Sequence, residues 1–307
     1  MSTQKDFGFL TLATSHDYRK AIGLALSLRI SNPGIPIAIA CSPKVQELVK
    51  PYFDHVVTEK PGLKGFVHKV YLDEYSPFKE TFFFDSDILV FKPILPYVQS
   101  WGPGPYHVAG HYRTEGIGTF GLNRSDVLKR IGRYRLVEIA GAGHAFFRKP
   151  DCKEVFDLAR QITDNYTSYA GNARYADEDV INIALTMLDL PPATNGDFLS
   201  RYCSARPGTM EMDALAPQCV YFDAITNQRV STAIVHFADN EAPYVHTKQL
   251  YRLFRKFGVP TSGLLAQGIE DYFEIEIKRP LIRRFTRLRK LKRRRVSPRS
   301  KTQVAAK

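Results

Sequence analysis

Cysteine is scarce in this chain: four residues in 307, at positions 41, 152, 203 and 219. Their spacing makes no CxxC pair and no dense framework, so the thiols are read as reduced, which favours a cytosolic setting. Long apolar runs are missing too. No stretch approaches the ~18 residues that a bilayer crossing needs, and no spanning segment is expected. The N-terminal MSTQKDFGFL lacks the basic-then-apolar order of a secretory leader. The sequons Asn123-Arg124-Ser125 and Asn165-Tyr166-Thr167 are accordingly expected to be chance matches. Acid is absent from the last thirty positions, which carry 14 of the 43 Lys and Arg; the formal charge of +12 therefore falls to −2 over residues 1–277. The molecule reads as a near-neutral globule with a basic tail, so its net charge says little about what the globule binds.

What is present, 44% apolar residues, suffices for a sizeable core. Residues 7–13, FGFLTLA, form a short apolar run between polar flanks, the mark of a buried strand. In SHDYRKAIGLALSLRI, Ile22, Leu24, Ala25 and Leu28 share one helical face; Ser15 or Asp17 can cap it and Asn32-Pro33-Gly34 ends it. PIAIAC then reads as a strand, PKVQELVKPYF as a helix, HVVTE as a strand, HKVYLDEY as a helical stretch and TFFFDSDILVF as a strand. This alternation predicts right-handed βαβ units and a parallel sheet, the makings of a nucleotide-binding half. Further on, YHVAG and HAFFR read as strands, KEVFDLARQI and DEDVINIALTML as helices, CVYF and AIVHF as late strands. No internal repeat and no Gly/Ser linker precedes residue 270. The expected fold class is α/β: one domain over 1–270, a Rossmann-like mixed sheet flanked by helices, then a basic amphipathic tail over 271–307, partly disordered.

Within FFFDSDILVF, Asp85 and Asp87 sit in apolar surroundings, where a carboxylate is costly unless its charge is compensated. In an extended strand residues two apart share a face, so the pair would project side by side. Ligands of open α/β sheets bind beyond the carboxyl ends of strands, and a divalent cation there would offset the burial. The plainer reading is an Asp-Ser-Asp turn, solvated or paired with Lys or Arg. The spacing alone is weak, since Asp177-Glu178-Asp179 repeats it.

FGFLTLATSHDYRKAIGLALSLR and HKVYLDEYSPFKETFFFDSDILV together resemble the retaining glycosyltransferases that include glycogenin and the bacterial lipooligosaccharide galactosyltransferases, family 8. The resemblance runs over about residues 7–245 and implies a glycosyltransferase-A fold. It implies that Thr11 and Thr14 belong to the turn after the first strand and that Tyr18 stacks on uracil. It places Lys69, sixteen residues before the Asp pair, on the donor, and makes Asp85-Ser86-Asp87 the holder of Mn²⁺ on a UDP diphosphate. A late H-x-x-G-x-x-K-P-W motif supplies a third ligand; its counterpart here starts at His236 and ends at Pro243-Tyr244. Two carboxylates plus an imidazole suit Mn²⁺ better than Mg²⁺, although Mg²⁺ stays possible. The alternatives are a core role for His236, a surface role for Lys69 and a packing role for Tyr18. The chain departs from the motif at Asp239 and Ala242, leaving the diphosphate's lysine empty unless His246 or Lys248 fills it. The family's N-x-G reads Gly141-Ala142-Gly143. Asp177, Glu178 and Asn182 match its D-Q-x-x-x-N helix start, beside the anomeric carbon. Glu178 then puts a carboxylate where the family has an amide, a group able to attack that carbon. The plain alternative is that acids in a first helical turn favour the macrodipole.

After Pro280 the tail places Leu281, Phe285 and Leu288 on one face, with Ile282 and Leu291 at its margin, and Arg283, Arg284, Arg287, Lys290 and Arg294 elsewhere. That is the pattern of an interfacial helix on anionic lipid, with binding to a nucleic-acid backbone and a solvated, disordered tail as the alternatives. The expected function is a metal-dependent, retaining hexosyltransferase, cytoplasmic and peripheral to a membrane, with a nucleotide-sugar donor and a glycan or glycolipid acceptor and no nucleic-acid partner. Two other readings stay open. A sugar-phosphate nucleotidylyltransferase would carry a Gly-rich loop after the first strand, where TLATSHDYRK has no glycine. A non-catalytic membrane-binding protein on a degenerate transferase scaffold is the other.

Overall fold

The computed structural model describes residues 6–14, 16–140, 143–201, 206, 209–224, 226–237, 243–278 and 281–282. The first part runs β1 (Phe7–Ala13), α1 (Tyr18–Ser31), β2 (Ile37–Cys41), α2 (Gln46–Val49), β3 (His55–Thr58), α3 (Leu72–Tyr75) and β4 (Glu80–Phe84). The middle holds β5 (Ile88–Val90), α4 (Leu95–Trp101), β6 (Tyr106–His107), β7 (Gly110–Arg113), α5 (Arg124–Ile131), β8 (Leu136–Ile139), β9 (His144–Arg148), α6 (Lys153–Asp164), α7 (Tyr166–Ala170) and α8 (Asp177–Met187). The last part comprises β10 (Leu199–Arg201), β11 (Glu211–Asp213), β12 (Gln218–Phe222), β13 (Arg229–Ser231), β14 (Ile234–His236), α9 (Pro243–Phe257) and α10 (Leu264–Tyr272).

The principal sheet is mixed and six-stranded, in the order β3-β2-β1-β4-β9-β6. Its first four strands are parallel, as the βαβ reading requires, and β9 and β6 pair antiparallel. Strands covered on both faces read as unbroken apolar runs, and all five residues of β2 are buried. Side chains alternate between two cores. Phe9, Phe82, Phe84 and Phe146 pack on one face with α1. Leu10, Phe83, Ala145 and Phe147 pack on the other with α6 and α8. Smaller sheets follow the orders β10-β14-β5, β11-β12-β13 and β7-β8.

Four segments differ from the sequence reading. YHVAG is split, β6 ending at His107 and Gly110 opening β7 in another sheet. TFFFDSDILVF is not one strand. β4 ends at Phe84, Asp85–Asp87 form a turn in which the Ile88 amide donates to the Asp85 carbonyl at 3.2 Å, and β5 enters a different sheet. Both flanks are apolar, so hydrophobic patterning is blind to the switch, whereas Asp and Ser are turn formers. PKVQELVKPYF breaks into a tight turn at Pro43–Val45, α2 and a second tight turn at Lys50–Tyr52. Pro43 opens the segment, where its missing amide costs nothing, whereas Pro51 withholds a donor from any helix running through it. HKVYLDEY is half 3₁₀, the end of a stretch over Gly65–Tyr71, and half α-helix, in α3.

The basic segment over 283–307, with Phe285, Leu288 and Leu291, lies outside the described residues, as do Gly141, Ala142, Asp239 and Ala242. Ahead of the basic segment, α10 continues into a six-residue π-helical stretch, Phe273–Lys278. Leu265, Ile269, Phe273, Ile277 and Leu281, four residues apart, are each between 40% and 65% exposed. No helix among the described residues is long and apolar enough to cross a membrane.

Candidate active site at the carboxyl ends of the parallel strands

Strand register builds the site. Asp85 leaves β4 with its amide donating to the Gly143 carbonyl at 2.7 Å, just before β9. β5 then pairs antiparallel with β14, setting His236 opposite Ile88, and the Phe237 amide donates to the Asp87 carbonyl at 3.0 Å. His236 Nε2 thereby comes within 3.2 Å of Asp87 Oδ1. Asp85, Asp87 and His236 each offer a ligand atom within 4.8 Å of the others. Ligands on opposite sides of a cation at ~2.0–2.6 Å stand up to roughly 5 Å apart, so the spacing fits a metal. So does the donor set, two carboxylates whose repulsion a divalent ion relieves and one imidazole. Gly143 is required beside it: its φ is +94°, and a Cβ there would stand 2.8 Å from Asp85 Oδ2.

Lys69 is the site's internal counter-charge. Its Nζ lies 2.8 Å from Asp85 Oδ1 and 3.0 Å from Asp177 Oδ2, joining the metal-type pair to the start of α8. Burial alone would lower the pKa of this ammonium, but Asp177 and Asp85 outweigh it and the net shift is upward. Burial raises Asp85, against the pull of Lys69. Burial also acts to raise Asp87, yet its hydrogen bond with His236 prevails and holds it below the usual carboxylate value.

A cavity of about 250 Å³ opens over the same strand ends, lined by Thr14, Lys69, Asp85, Ser86 and Asp87 among the residues singled out from sequence. Thr14 Oγ1 donates to Asp17 Oδ2 at 2.8 Å. Thr11 and Tyr18, the other two expected donor contacts, do not line it. Thr11 lies inside β1, 1% exposed, its hydroxyl without a partner among the described residues. Tyr18 packs half-buried against the core at the start of α1, its hydroxyl accepting from Arg19 Nε at 3.4 Å. Strand alternation turns Thr11 inward, and the tyrosine ring is spent on packing. His246 and Lys248 do not line it either. His246 is buried and stacked on Phe237 with centroids 4.6 Å apart, burial pushing its pKa down to about 3, while Lys248 is exposed.

Asp177 and Glu178 border a smaller adjoining cavity with Lys69, Gly143 and His144; Lys69 lines both spaces. Burial raises Glu178 to about 7, helped by Asp179, Asp177 and Glu138. The residue before α8, Ala176, provides no side-chain cap, and the three acids divide their roles. Asp177 meets Lys69, Glu178 borders the cavity, and Asp179 accepts from the Tyr166 hydroxyl at 3.1 Å. Asn182 is structural: its Oδ1 accepts from the Ile139 amide at 3.0 Å. Sequence reasoning missed Lys20, Glu59, Phe66 and His68 in the larger cavity. Glu59 had a signal: it follows β3 as Asp85 follows β4, at the end of a parallel strand where ligands bind.

No family model matches the sequence, and no curated protein matches it significantly. Solved structures match in shape. An active-site mutant of LgtC superposes with a TM-score of 0.53 at 15% identity, covering 81% of this chain and 95% of that one. The fold is that of a glycosyltransferase. Galactosyltransferase LgtC in complex with donor and acceptor sugar analogues gives 0.52 at 15% identity, over 81% of this chain and 99% of its own. The apo bifunctional glycosyltransferase WbbM gives 0.54 at 9% identity over 89% of this chain, which spans 52% of WbbM. At such identities the likeness speaks for the glycosyltransferase-A fold, and the chemistry rests on this chain's own residues.

Proposed function

We propose that this protein is a metal-dependent glycosyltransferase that moves a hexose from a nucleotide sugar, UDP-linked on the family resemblance, to a glycan or lipid-linked acceptor with retention. The observation that carries it is the convergence of Asp85, Asp87, His236 and Lys69 beside a cavity at the carboxyl ends of parallel strands. Asp85, Asp87 and His236 would hold Mn²⁺, and such an ion offsets the charge of the departing diphosphate so that this leaving group needs no proton. Lys69 is suited to turn from Asp85 toward the diphosphate, and Thr14 and Ser86 offer hydroxyls to the donor.

Two retaining routes separate on Glu178. In the two-step route its carboxylate oxygen bonds to the anomeric carbon as the carbon–oxygen bond to diphosphate breaks, the electron pair leaving with the diphosphate. The acceptor hydroxyl then displaces the carboxylate, and its proton passes to the diphosphate. In the one-step route Glu178 only orients the sugars, and a phosphate oxygen takes the acceptor's proton on the same face. Asp177, paired with Lys69, positions the ammonium in either case.

An anionic membrane, at its cytoplasmic face, is the proposed third partner. It is supported by the exposed apolar row from Leu265 to Leu281 leading into a segment of 14 Lys and Arg without an acid.

The test is thermal unfolding and UDP-sugar hydrolysis with and without Mn²⁺ in wild type and Asp87→Ala. Ligands that bind only the folded state raise its stability. Mn²⁺-dependent stabilisation and hydrolysis, both abolished by the substitution, are expected. Hydrolysis indifferent to chelator and to Asp87→Ala refutes the metal-dependent transferase, and hydrolysis absent throughout favours the degenerate scaffold.

A further inference from the structure

We propose that Glu59 and Phe66 form the nucleobase end of the cavity, and that Glu59 selects bases with an N–H at the centre of their pairing edge, uracil or guanine, over cytosine and adenine. The inference rests on the transferase reading and adds a specificity that the fold does not dictate.

Strand order sets the direction of the site. The carboxyl ends of β4, β1, β2 and β3 stand in that sequence across the sheet. The cavity takes lining residues from every one of these ends, among them Asp85, Thr14, Ala40 and Glu59. Three interstrand steps of about 4.8 Å put Glu59 roughly 14 Å from Asp85. With the diphosphate beside the aspartates, the base of an extended nucleotide reaches the β3 end. Glu59 is anchored there by its amide, which donates to the Cys41 carbonyl at 3.0 Å.

The wall behind Glu59 fixes what it offers. The Tyr75 hydroxyl oxygen accepts from the Lys60 amide at 3.0 Å and lies 2.8 Å from His68 Nδ1. With that oxygen already accepting from the Lys60 amide, we assign the Tyr75 proton to Nδ1 and the imidazole proton to Nε2, 3.8 Å from Glu59 Oε2. The imidazole edge thus faces the Glu59 carboxylate, whose oxygens are the acceptors this wall offers. Uracil N3–H and guanine N1–H can donate to it. Cytosine and adenine present an acceptor at that position, which leaves two acceptors facing each other unpaired.

Phe66 supplies the flat partner. It is a large aromatic that stays 45% exposed while lining the cavity, and its ring lies 5.5 Å from Lys69 Nζ. A solvent-facing ring that lines the same cavity as Glu59, on the Lys69 side of it, is suited to stack on a base whose edge points to Glu59, and such contacts tolerate any base. Phe66 therefore takes the role that the resemblance gives to Tyr18.

The experiment is calorimetric titration of the full chain, with Mn²⁺, by UDP, GDP, CDP and ADP. Wild type is expected to bind UDP and GDP at least about tenfold more tightly than CDP and ADP, in keeping with one charge-assisted hydrogen bond. Glu59→Gln, whose amide both donates and accepts, should shrink that gap to within about threefold. Phe66→Ala should weaken all four by about five- to a hundredfold, with Phe66→Tyr restoring them. Both side chains contact solvent, and circular dichroism confirms the fold of each variant. Equal binding of the four by wild type, an unchanged gap in Glu59→Gln, or unchanged affinities in Phe66→Ala would each overturn this inference while leaving the transferase reading intact. Wild type that binds none of the four with Mn²⁺ overturns both.

Discussion

Replacing Glu178 by Gln separates the cost of a buried carboxylate from its use. Burial and its acidic neighbours raise Glu178 from the ordinary 4.5 to about 7 in the folded chain. The folded state therefore holds this proton more tightly than the unfolded state, and stability falls as pH rises from about 4.5 through 7. The shift corresponds to roughly 2–3 kcal/mol, caused by burial and by the repulsion of Asp179 and Asp177. Urea unfolding in chelator at pH 4 and pH 8 measures it. The variant should match wild type at pH 4 and exceed it by about 2 kcal/mol at pH 8. Activity should move the other way. A nucleophile turned into an amide loses nearly all turnover, and protein incubated with donor alone should yield a glycosylated peptide containing Glu178 only in wild type. Parallel stability–pH curves for the two proteins would refute the electrostatic reasoning. Robust turnover in the variant would refute the two-step route and leave the one-step route standing.

Lys69→Met leaves Asp85 and Asp177 facing each other without their cation, and removing one partner of a buried pair costs about 3 kcal/mol or more. Thermal unfolding in chelator should show a lower Tm, and Mn²⁺ should raise the variant's Tm by more than it raises that of wild type; a Tm unchanged in chelator would show that the ammonium is dispensable. A chain ending at residue 277 should leave vesicles of anionic lipid yet still bind Mn²⁺ and nucleotide. The full chain should lose part of its vesicle binding between 0.1 and 1 M salt, where the Debye length falls from about 10 to 3 Å. Equal vesicle binding by both chains would exclude the basic segment as the anchor.

Much of the fold was legible because its information is local. Apolar runs of strand length alternating with helical periodicity predict parallel βαβ units, and β1, β2, β3 and β4 are parallel neighbours. Asp85, Asp87 and Lys69 stood out for the same reason, since a charge in an apolar run, or at a familiar spacing, is visible one residue at a time. The turn at Asp85–Asp87 was not visible as the meeting of two sheets, because the apolar residues on either side look alike. Long-range register was equally hidden: nothing near His236 announces that β14 will lie against β5. Glu59, Phe66 and Lys20 become neighbours only once four strand ends are set side by side. At Tyr18 the motif position is present and the ring packs against the core, a placement that the motif does not show.

The Asp-Ser-Asp turn belongs to two sheets at once: Asp85 closes a strand of the six-stranded sheet, while Asp87 and His236 travel with the three-stranded one. A cation gripped by all three would therefore act as a rivet through a seam, its affinity falling whenever the smaller sheet lifts away, even with the nucleotide floor undisturbed. Substitutions in β5, β10 or β14 that touch no substrate should then masquerade as active-site lesions, and tight metal binding would be the sign that the seam has closed.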